Sequence, residues 1–277
     1  MQSPCKEERI AAVVVTYNRC ALLEGCLDAL LRQDRPLDEI LVIDNASTDD
    51  TTEMLAKKYN GKVTHVGLEE NIGGAGGFYE GIRLAYEKGH DWIWVMDDDV
   101  EPMADALRIL AESPAFSAPS VGFLACLVLD SKLTPQITPF RRFNRLMAAY
   151  PAINEDSLDQ PLVSIEAAGF LGGMVRREAI DTVGLPLKDL FIYWDDTEFT
   201  HRISRRFKVF LVPASKVVHR YVWVPPPQRK FLGLLRIPTG VPFTQAWRFY
   251  YNLRNSIFIR TRYASPWLAP LIPVMVL

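Results

Sequence analysis

The chain has 277 residues, 49% apolar and 23% charged, a globular mix that excludes a disordered, collagen-like or disulfide-framework polypeptide. The net charge of −2 is unevenly spread: residues 199–277 hold 13 of the 31 Lys and Arg and no Asp or Glu, which points to an anionic partner for the C-terminal part, such as a pyrophosphate-bearing substrate, an anionic membrane surface or nucleic acid. No run of 18 apolar residues occurs, Met1–Ile10 lacks the apolar stretch of a secretory leader, and Cys5, Cys20, Cys26 and Cys126 have no CxxC spacing, so neither a spanning helix, a signal peptide nor a disulfide is expected.

Ile10–Thr16 (IAAVVVT) is a β-branched run of the kind that forms buried parallel strands. Leucines 22, 23, 27, 30 and 31 follow at helical spacing within Cys20–Gln33. Glu39–Asp44 is a second strand, and the polar run from Asn45 offers N-caps for a helix through Met54–Tyr59. Lys62–Val66 is a third strand, the glycine-rich Asn71–Gly77 leads into a helix around Phe78–Lys88, and Trp92–Met96 is a fourth strand. This alternation predicts βαβ units and a mostly parallel sheet. A helix is expected near Pro102–Leu110 and a strand at Val121–Leu129.

Residues 131–163 carry Pro135, Pro139, Pro151 and Pro161 and read as a long irregular excursion. A glycine-interrupted strand at Gly169–Val175, a helix at Arg176–Val183, an acidic segment over Phe191–Arg202 and a short strand at Val209–Val212 follow. Pro225–Pro227 is a rigid break before the last segment.

The fourth strand runs into Asp97-Asp98-Asp99, at the carboxyl edge where open α/β sheets bind ligands. If the backbone stays extended, Asp97 and Asp99 point the same way and Asp98 the other. Like charges on one side call for a bridging cation, and a hard divalent ion could in turn hold a diphosphate. Thr16, Tyr17 and Arg19 after the first strand and Asp44 and Asn45 after the second share that edge. The glycines of 73–77 let backbone approach a ligand, but neither a P-loop nor a dinucleotide fingerprint is present.

These residues carry a family likeness. VVVTYNR (13–19), VIDNASTD (42–49), NIGG (71–74) and DDD (97–99) together resemble the family 2 glycosyltransferases of GT-A fold, and the string GGAGGF (73–78) looks most like the bacterial galactofuranosyltransferases. FIYWDDTE (191–198) is similar to the WDD-x-E/D segment of those enzymes, and Val218-His219-Arg220 to their later metal-binding histidine. The resemblance implies a Rossmann-like α/β catalytic domain over 1–222 and a basic helical extension over 223–277. It implies inverting transfer from a nucleotide-diphospho-sugar, with UDP-galactofuranose as donor. Thr16, Tyr17, Arg19, Asp44, Asn45, Asn71, Gly74, Asp97, Asp98 and Trp194 would line the donor site, with Trp194 walling the sugar pocket. Asp97, Asp99 and His219 would bind Mn²⁺ or Mg²⁺. Asp196 would be the base, with Asp195 and Glu198 positioning the acceptor. His65, His90 and His201 have no such support and read as surface or local hydrogen-bonding groups.

A helix through Trp247–Phe258 would gather Trp247, Tyr250, Tyr251, Ile257 and Phe258 on one face, and WRFYYNLRN (247–255) resembles the region after the catalytic domain in this group. A basic amphipathic element with an apolar end suggests interfacial attachment, suited to a polyprenyl-diphosphate-linked glycan acceptor at the inner face of the cell membrane and a cytoplasmic, peripheral location. Nucleic acid is not an expected partner. The alternatives are a rhamnosyltransferase using dTDP-rhamnose, a nucleotidyltransferase and a non-catalytic nucleotide-sugar binder.

Overall fold

The computed structural model describes residues 8–220, 228–231, 235–238 and 246–273. β1 (Ile10–Thr16), α1 (Cys20–Leu31), β2 (Glu39–Asp44), α2 (Thr51–Lys58), β3 (Thr64–Gly67), α3 (Gly73–Glu87) and β4 (Trp92–Asp97) alternate as the sequence pattern predicts. β1 lies between β2 and β4, β2 pairs with β3, and all three pairings are parallel. Every residue of β1 is buried, which is why it reads as a continuous apolar run. α3 lies close on this half because a Cβ at Gly77 would meet Val15 Cγ1 at 2.5 Å and one at Gly81 would meet Val13 Cγ1 at 2.3 Å.

The second half is mixed. β5 (Val100–Pro102), α4 (Ala106–Glu112) and β6 (Val121–Leu129) are followed by short β7 (Pro135–Gln136), β8 (Phe140–Arg141), β9 (Val163–Ser164) and β10 (Ala167–Ala168). Then come β11 (Leu171–Arg176), α5 (Arg177–Val183), α6 (Asp195–Ser204) and β12 (Lys208–His219). β11 runs antiparallel to both β4 and β6, and β12 runs parallel to β6 but antiparallel to β5, giving the order β3-β2-β1-β4-β11-β6-β12-β5. The helix expected near Pro102–Leu110 is α4, which starts at Ala106, after β5 has paired with β12. β12 also extends far beyond Val209–Val212, through a register shift between Val212 and Lys216 that spans Pro213. That length carries His219 to the site, opposite Val100.

Trp92, Trp94, Phe123, Phe140 and Phe199 are the largest fully buried side chains, and Trp92 stacks on Phe116 with centroids 5.0 Å apart. Cys20, Cys26 and Cys126 are free thiols; Cys5 lies outside the described residues. So does the Pro225–Pro227 break. β13 (Gln228–Phe231) and β14 (Leu235–Pro238) form an antiparallel pair, and α7 (Ala246–Tyr263) follows. α7 turns Asn255, Ser256, Ile259 and Tyr263 inward, and Ile259 and Tyr263 join a second core with Ala75, Tyr150, Ala167 and Leu190. Among the described residues no helix is long and apolar enough to cross a membrane.

Candidate active site

The carboxyl ends of β1, β2 and β4 meet as expected. Thr16 is buried and its hydroxyl donates to Asp98 Oδ2 at 2.8 Å. Arg19 Nη1 donates to Asp98 Oδ1 at 3.2 Å and to Asp99 Oδ2 at 2.9 Å. Alternation therefore fails after Asp97: β4 ends there, the chain turns, and Asp98 and Asp99 share one guanidinium. Burial opposes the charge on Arg19, but the carboxylates of Asp98 and Asp99 outweigh it and raise its pKa. Burial raises Asp98 to about 6 against the pull of Arg19. Asp97 is pushed well above the ordinary carboxylate range by burial and by the charges of Asp99 and Asp98.

Asp99 is also buried, which would raise it, but His219 and Arg19 hold it below the usual value. His219 Nε2 stands 3.3 Å from Asp99 Oδ1, within ion-pair range but without hydrogen-bond alignment, so that buried oxygen has no hydrogen-bond donor. Two donors each about 2.1 Å from an octahedral cation lie about 3.0 Å apart, close to this spacing. The chemistry of Asp99 and His219 thus fits a divalent ion. Among the described residues no group of three His, Cys, Asp or Glu side chains is gathered as a ready cage, so the expected Asp97, Asp99 and His219 set is assembled only as the pair Asp99 and His219. Arg19 occupies the other side of the Asp99 carboxylate and supplies positive charge there.

Several expected donor-site residues are committed to the fold. Asn45 is buried, and its amide donates to Gly73 O and accepts from Ile72 N, both at 2.9 Å. Asn71 Oδ1 accepts from Gly73 N at 2.8 Å. Both fasten the start of α3, so the Asn45 side chain is engaged by backbone groups of the chain itself. Asp44 is buried and accepts from Ser47 N and Thr52 Oγ1, with His65 Nε2 3.4 Å away. Tyr17 is 44% exposed at the mouth of the site. Of the glycines in 73–77, Gly76 and Gly77 face Ile72 and Val15, while a Cβ on Gly74 would meet open space. Close helix packing, as well as ligand approach, therefore accounts for this string.

Asp195 and Asp196 open α6, where the helix dipole favours carboxylates. Asp195 is buried, and burial together with the Asp196 charge raises it to about 8. Asp196 is half-buried; burial raises its pKa too, but the Thr197 backbone N–H and the Arg141 charge oppose the rise. Its Oδ2 lies over Gly169, 3.4 Å from where a Cβ there would stand. Both carboxyls of the pair are thus raised, Asp195 to about 8, and Asp196 is the one whose rise is opposed by a backbone N–H and a nearby positive charge.

Glu198 does not face the site. It is fully buried, bonded to Arg202 Nε at 3.0 Å and Nη2 at 2.9 Å, and accepts from Tyr263 Oη at 2.6 Å. This corrects its expected role in positioning the acceptor; the reason is position on α6, which turns it inward onto α7. His201 and His90 are likewise buried rather than at the surface: His201 sits among Phe143, Tyr150 and Tyr263, and His90 Nε2 pairs with Glu39 at 3.0 Å.

The turn that leads into α6 is strained. Phe191, Tyr193 and Trp194 have φ of 66°, 66° and 71°, in the left-handed region that costs an L-residue about 1–2 kcal/mol. α7 holds it: Asn255 Nδ2 lies 2.9 Å from the carbonyls of Leu190, Ile192 and Tyr193, and Arg254 Nη2 donates to Asp189 O and Leu190 O at 3.0 Å. Trp194 is half-buried, its Nε1 donates to Asn252 Oδ1 at 3.4 Å, and its ring meets Tyr150 edge-on at 5.9 Å. On the side facing α3, Phe191 O accepts from Ala75 N at 3.0 Å, and Gly73 (φ 78°) is so close that a Cβ would fall 2.1 Å from that oxygen.

A sheet edge with graded carboxylates on two sides invites comparison with known proteins. The model of the family described as Glycosyl transferase family 2 matches residues 11–179. The chain belongs to glycosyl transferase family 2. It is 33% identical to galactofuranosyltransferase GlfT1 of Mycolicibacterium smegmatis over 203 residues, which is 72% of this chain and 66% of that protein. The chain thus spans just under two thirds of the length of that curated relative. Among solved structures, GalNAc-T7 with UDP, GalNAc and Mn²⁺ superposes with a TM-score of 0.63 at 15% identity, covering 91% of this chain and 47% of that one. Mannosyltransferase PcManGT from Pyrobaculum calidifontis, with GDP-Man and Mn²⁺, gives 0.56 at 18% identity, covering 97% and 69%. The fold is accordingly GT-A-like, a mixed α/β sheet flanked by helices.

The family 2 match ends at residue 179, before α6, β12 and α7. Arg141, Tyr150 and Tyr263, which the structure brings against Asp196, Trp194 and Glu198, gave no signal in the sequence. Arg141 and Tyr150 lie in the irregular excursion, and Tyr263 stands beyond the resembling stretch.

Proposed function

We propose that this family 2 chain is a divalent-metal-dependent, inverting glycosyltransferase that moves galactofuranose from UDP-galactofuranose to a hydroxyl of a glycan acceptor. The observation that carries the reading is the placement of two differently tuned carboxylate sets at one sheet edge, Asp97–Asp99 with His219 and Asp195 with Asp196. Asp196 takes the proton of the acceptor hydroxyl as its oxygen attacks the anomeric carbon and the bond to UDP breaks; such a base is typically worth roughly 10²–10⁴-fold. Asp99 and His219 would hold the cation, which when bound stabilises charge on the departing diphosphate. Tyr17, Arg19, Asp44 and Gly74 border the nucleotide, and Trp194 walls the sugar.

The acceptor is read as a glycan on a polyprenyl diphosphate, met at the inner face of the cell membrane. Support comes from the exposed aromatic side chains Trp247, Phe249, Tyr250, Phe258 and Trp267 beside the basic C-terminal third. The sugar donor is tested by calorimetric binding of UDP and dTDP, each with and without Mn²⁺. Metal-dependent binding that favours UDP and is lost in Asp99→Ala is expected. A preference for dTDP replaces galactofuranosyl with rhamnosyl transfer, and no binding of either refutes the nucleotide-sugar reading. Asp196→Asn should bind UDP as the parent does while transfer falls about 10²–10⁴-fold.

A further inference from the structure

We propose that α7 is a working part of the transfer site, and that Asn255 and Arg254 are positioning residues which hold the 189–194 turn and with it Trp194, Asp195 and Asp196. The proposal rests on the reading of Asp196 as base. Asn255 is fully buried, yet polar, and its two N–H bonds are shared among three carbonyls of one turn, all at 2.9 Å. Arg254 Nε donates to Asn255 Oδ1 at 2.8 Å, which fixes the amide so that Nδ2 must face the turn. Arg254 Nη2 then bonds the carbonyls of Asp189 and Leu190. Two adjacent side chains thus engage four consecutive-region carbonyls, Asp189, Leu190, Ile192 and Tyr193.

That density of bonding falls where the backbone needs it. Phe191, Tyr193 and Trp194 are non-glycine residues at positive φ, a conformation that persists only when surrounding structure over-determines it. Asp195 and Asp196 come next in the chain, so the direction of their side chains follows from the end of this turn. The same turn also abuts the donor side, because Phe191 O accepts from Ala75 N and the Phe191 ring stacks on Tyr251 of α7 at 4.8 Å. The turn is therefore wedged between α3 and α7, and its position sets the separation of the glycine-rich start of α3 from the carboxylate pair. Docking of α7 alone does not require this, since Tyr263 already bonds Glu198 further along the helix.

The test uses the full chain with Asn255→Ala, Asn255→Asp, an isostere without the N–H donors, and Arg254→Lys as the conservative change. Transfer from UDP-galactofuranose, UDP binding and amide exchange of residues 189–199 are measured together. A misplaced base lowers kcat roughly 10²-fold in Asn255→Ala and Asn255→Asp, with donor KM and UDP affinity within about threefold of the parent and Arg254→Lys in between. Loss of the enclosing turn also moves the acid limb of the kcat–pH profile down, toward an ordinary carboxylate, a change that simple destabilisation does not produce. Exchange over 189–199 rises about tenfold or more while β1 and β6 keep their protection.

A kcat within about threefold of the parent in Asn255→Ala overturns the proposal, as does unchanged exchange at the turn. If the parent itself transfers nothing, the functional reading fails on its own, and exchange over 189–199 alone decides whether Asn255 holds the turn. Should the Asn255 variants fail to fold, Arg254→Lys carries the same measurements.

Discussion

Glu198→Gln separates a structural carboxylate from one that serves the acceptor. Glu198 is completely shielded from solvent, and its charge is met by Arg202 through Oε1 and Oε2 at 2.9–3.2 Å. Gln keeps the volume but removes the charge and turns an amide N–H₂ toward the guanidinium. Arg202 is then left with the carbonyls of Val183 and Leu185, and Tyr263 bonds a weaker acceptor. Breaking one side of a buried pair costs about 3–5 kcal/mol. At about 2–4 °C per kcal/mol for a chain of this size, Tm should fall by roughly 6–20 °C in calorimetry. Assayed well below that melt, transfer should stay within a few-fold of the parent with acceptor KM unchanged. An unshifted Tm together with a sharply raised acceptor KM would refute the assignment and return Glu198 to the acceptor site.

Acid should destabilise the fold through His201, whose burial lowers its pKa from 6.5 to about 4. Between those values the unfolded chain binds more protons, so the stabilisation is complete above pH 6.5 and about 3 kcal/mol is lost on descending to pH 4; urea titrations of His201→Phe should lack this slope, and an unchanged slope would exclude His201 as its source. Gly81→Ala places a methyl 2.3 Å from Val13 Cγ1, and overpacking there should cost about 1–3 kcal/mol in chemical denaturation; a cost near zero would mean that α3 can lift off β1. His219→Ala should weaken Mn²⁺-dependent UDP binding by about tenfold or more while leaving metal-free UDP binding alone; calorimetry showing parent-like Mn²⁺ dependence would remove His219 from the metal set.

The parallel half is legible because β1, β2 and β4 are buried on both faces and read as unbroken apolar runs, and the sequence pattern places β1 and β2 to the residue. Helix starts were less legible. α3 begins at Gly73 rather than near Phe78, because glycines that suggest a loop are here the residues that let a helix lie against Val13 and Val15. β12 was seen only as its first apolar stretch, since Pro213 and the polar Ser215 and Lys216 interrupt the pattern while long-range pairing to β5 and β6 continues it. At the site, the acidic motifs marked the right edge, but sequence could not tell the partners of each carboxylate. Asp98 and Asp99 turn to one arginine, Glu198 turns inward, and Asn45 is consumed by backbone groups 27 and 28 residues away. Those assignments depend on contacts between segments far apart in the chain.

The clamp on the 189–194 turn also gives the protein an order of completion. Chains emerge from synthesis N-terminus first, at about 5–20 residues per second. β1 to β4 can pair with one another as soon as they appear, so the edge that carries Asp97–Asp99 forms before the later elements are made. The carboxylates at 195 and 196 appear later, and their turn is closed only by residues 254 and 255, with a further fastening at 263. The edge that carries Asp97–Asp99 is thus in place early, and the turn that carries Asp195 and Asp196 is closed only once α7 has been made.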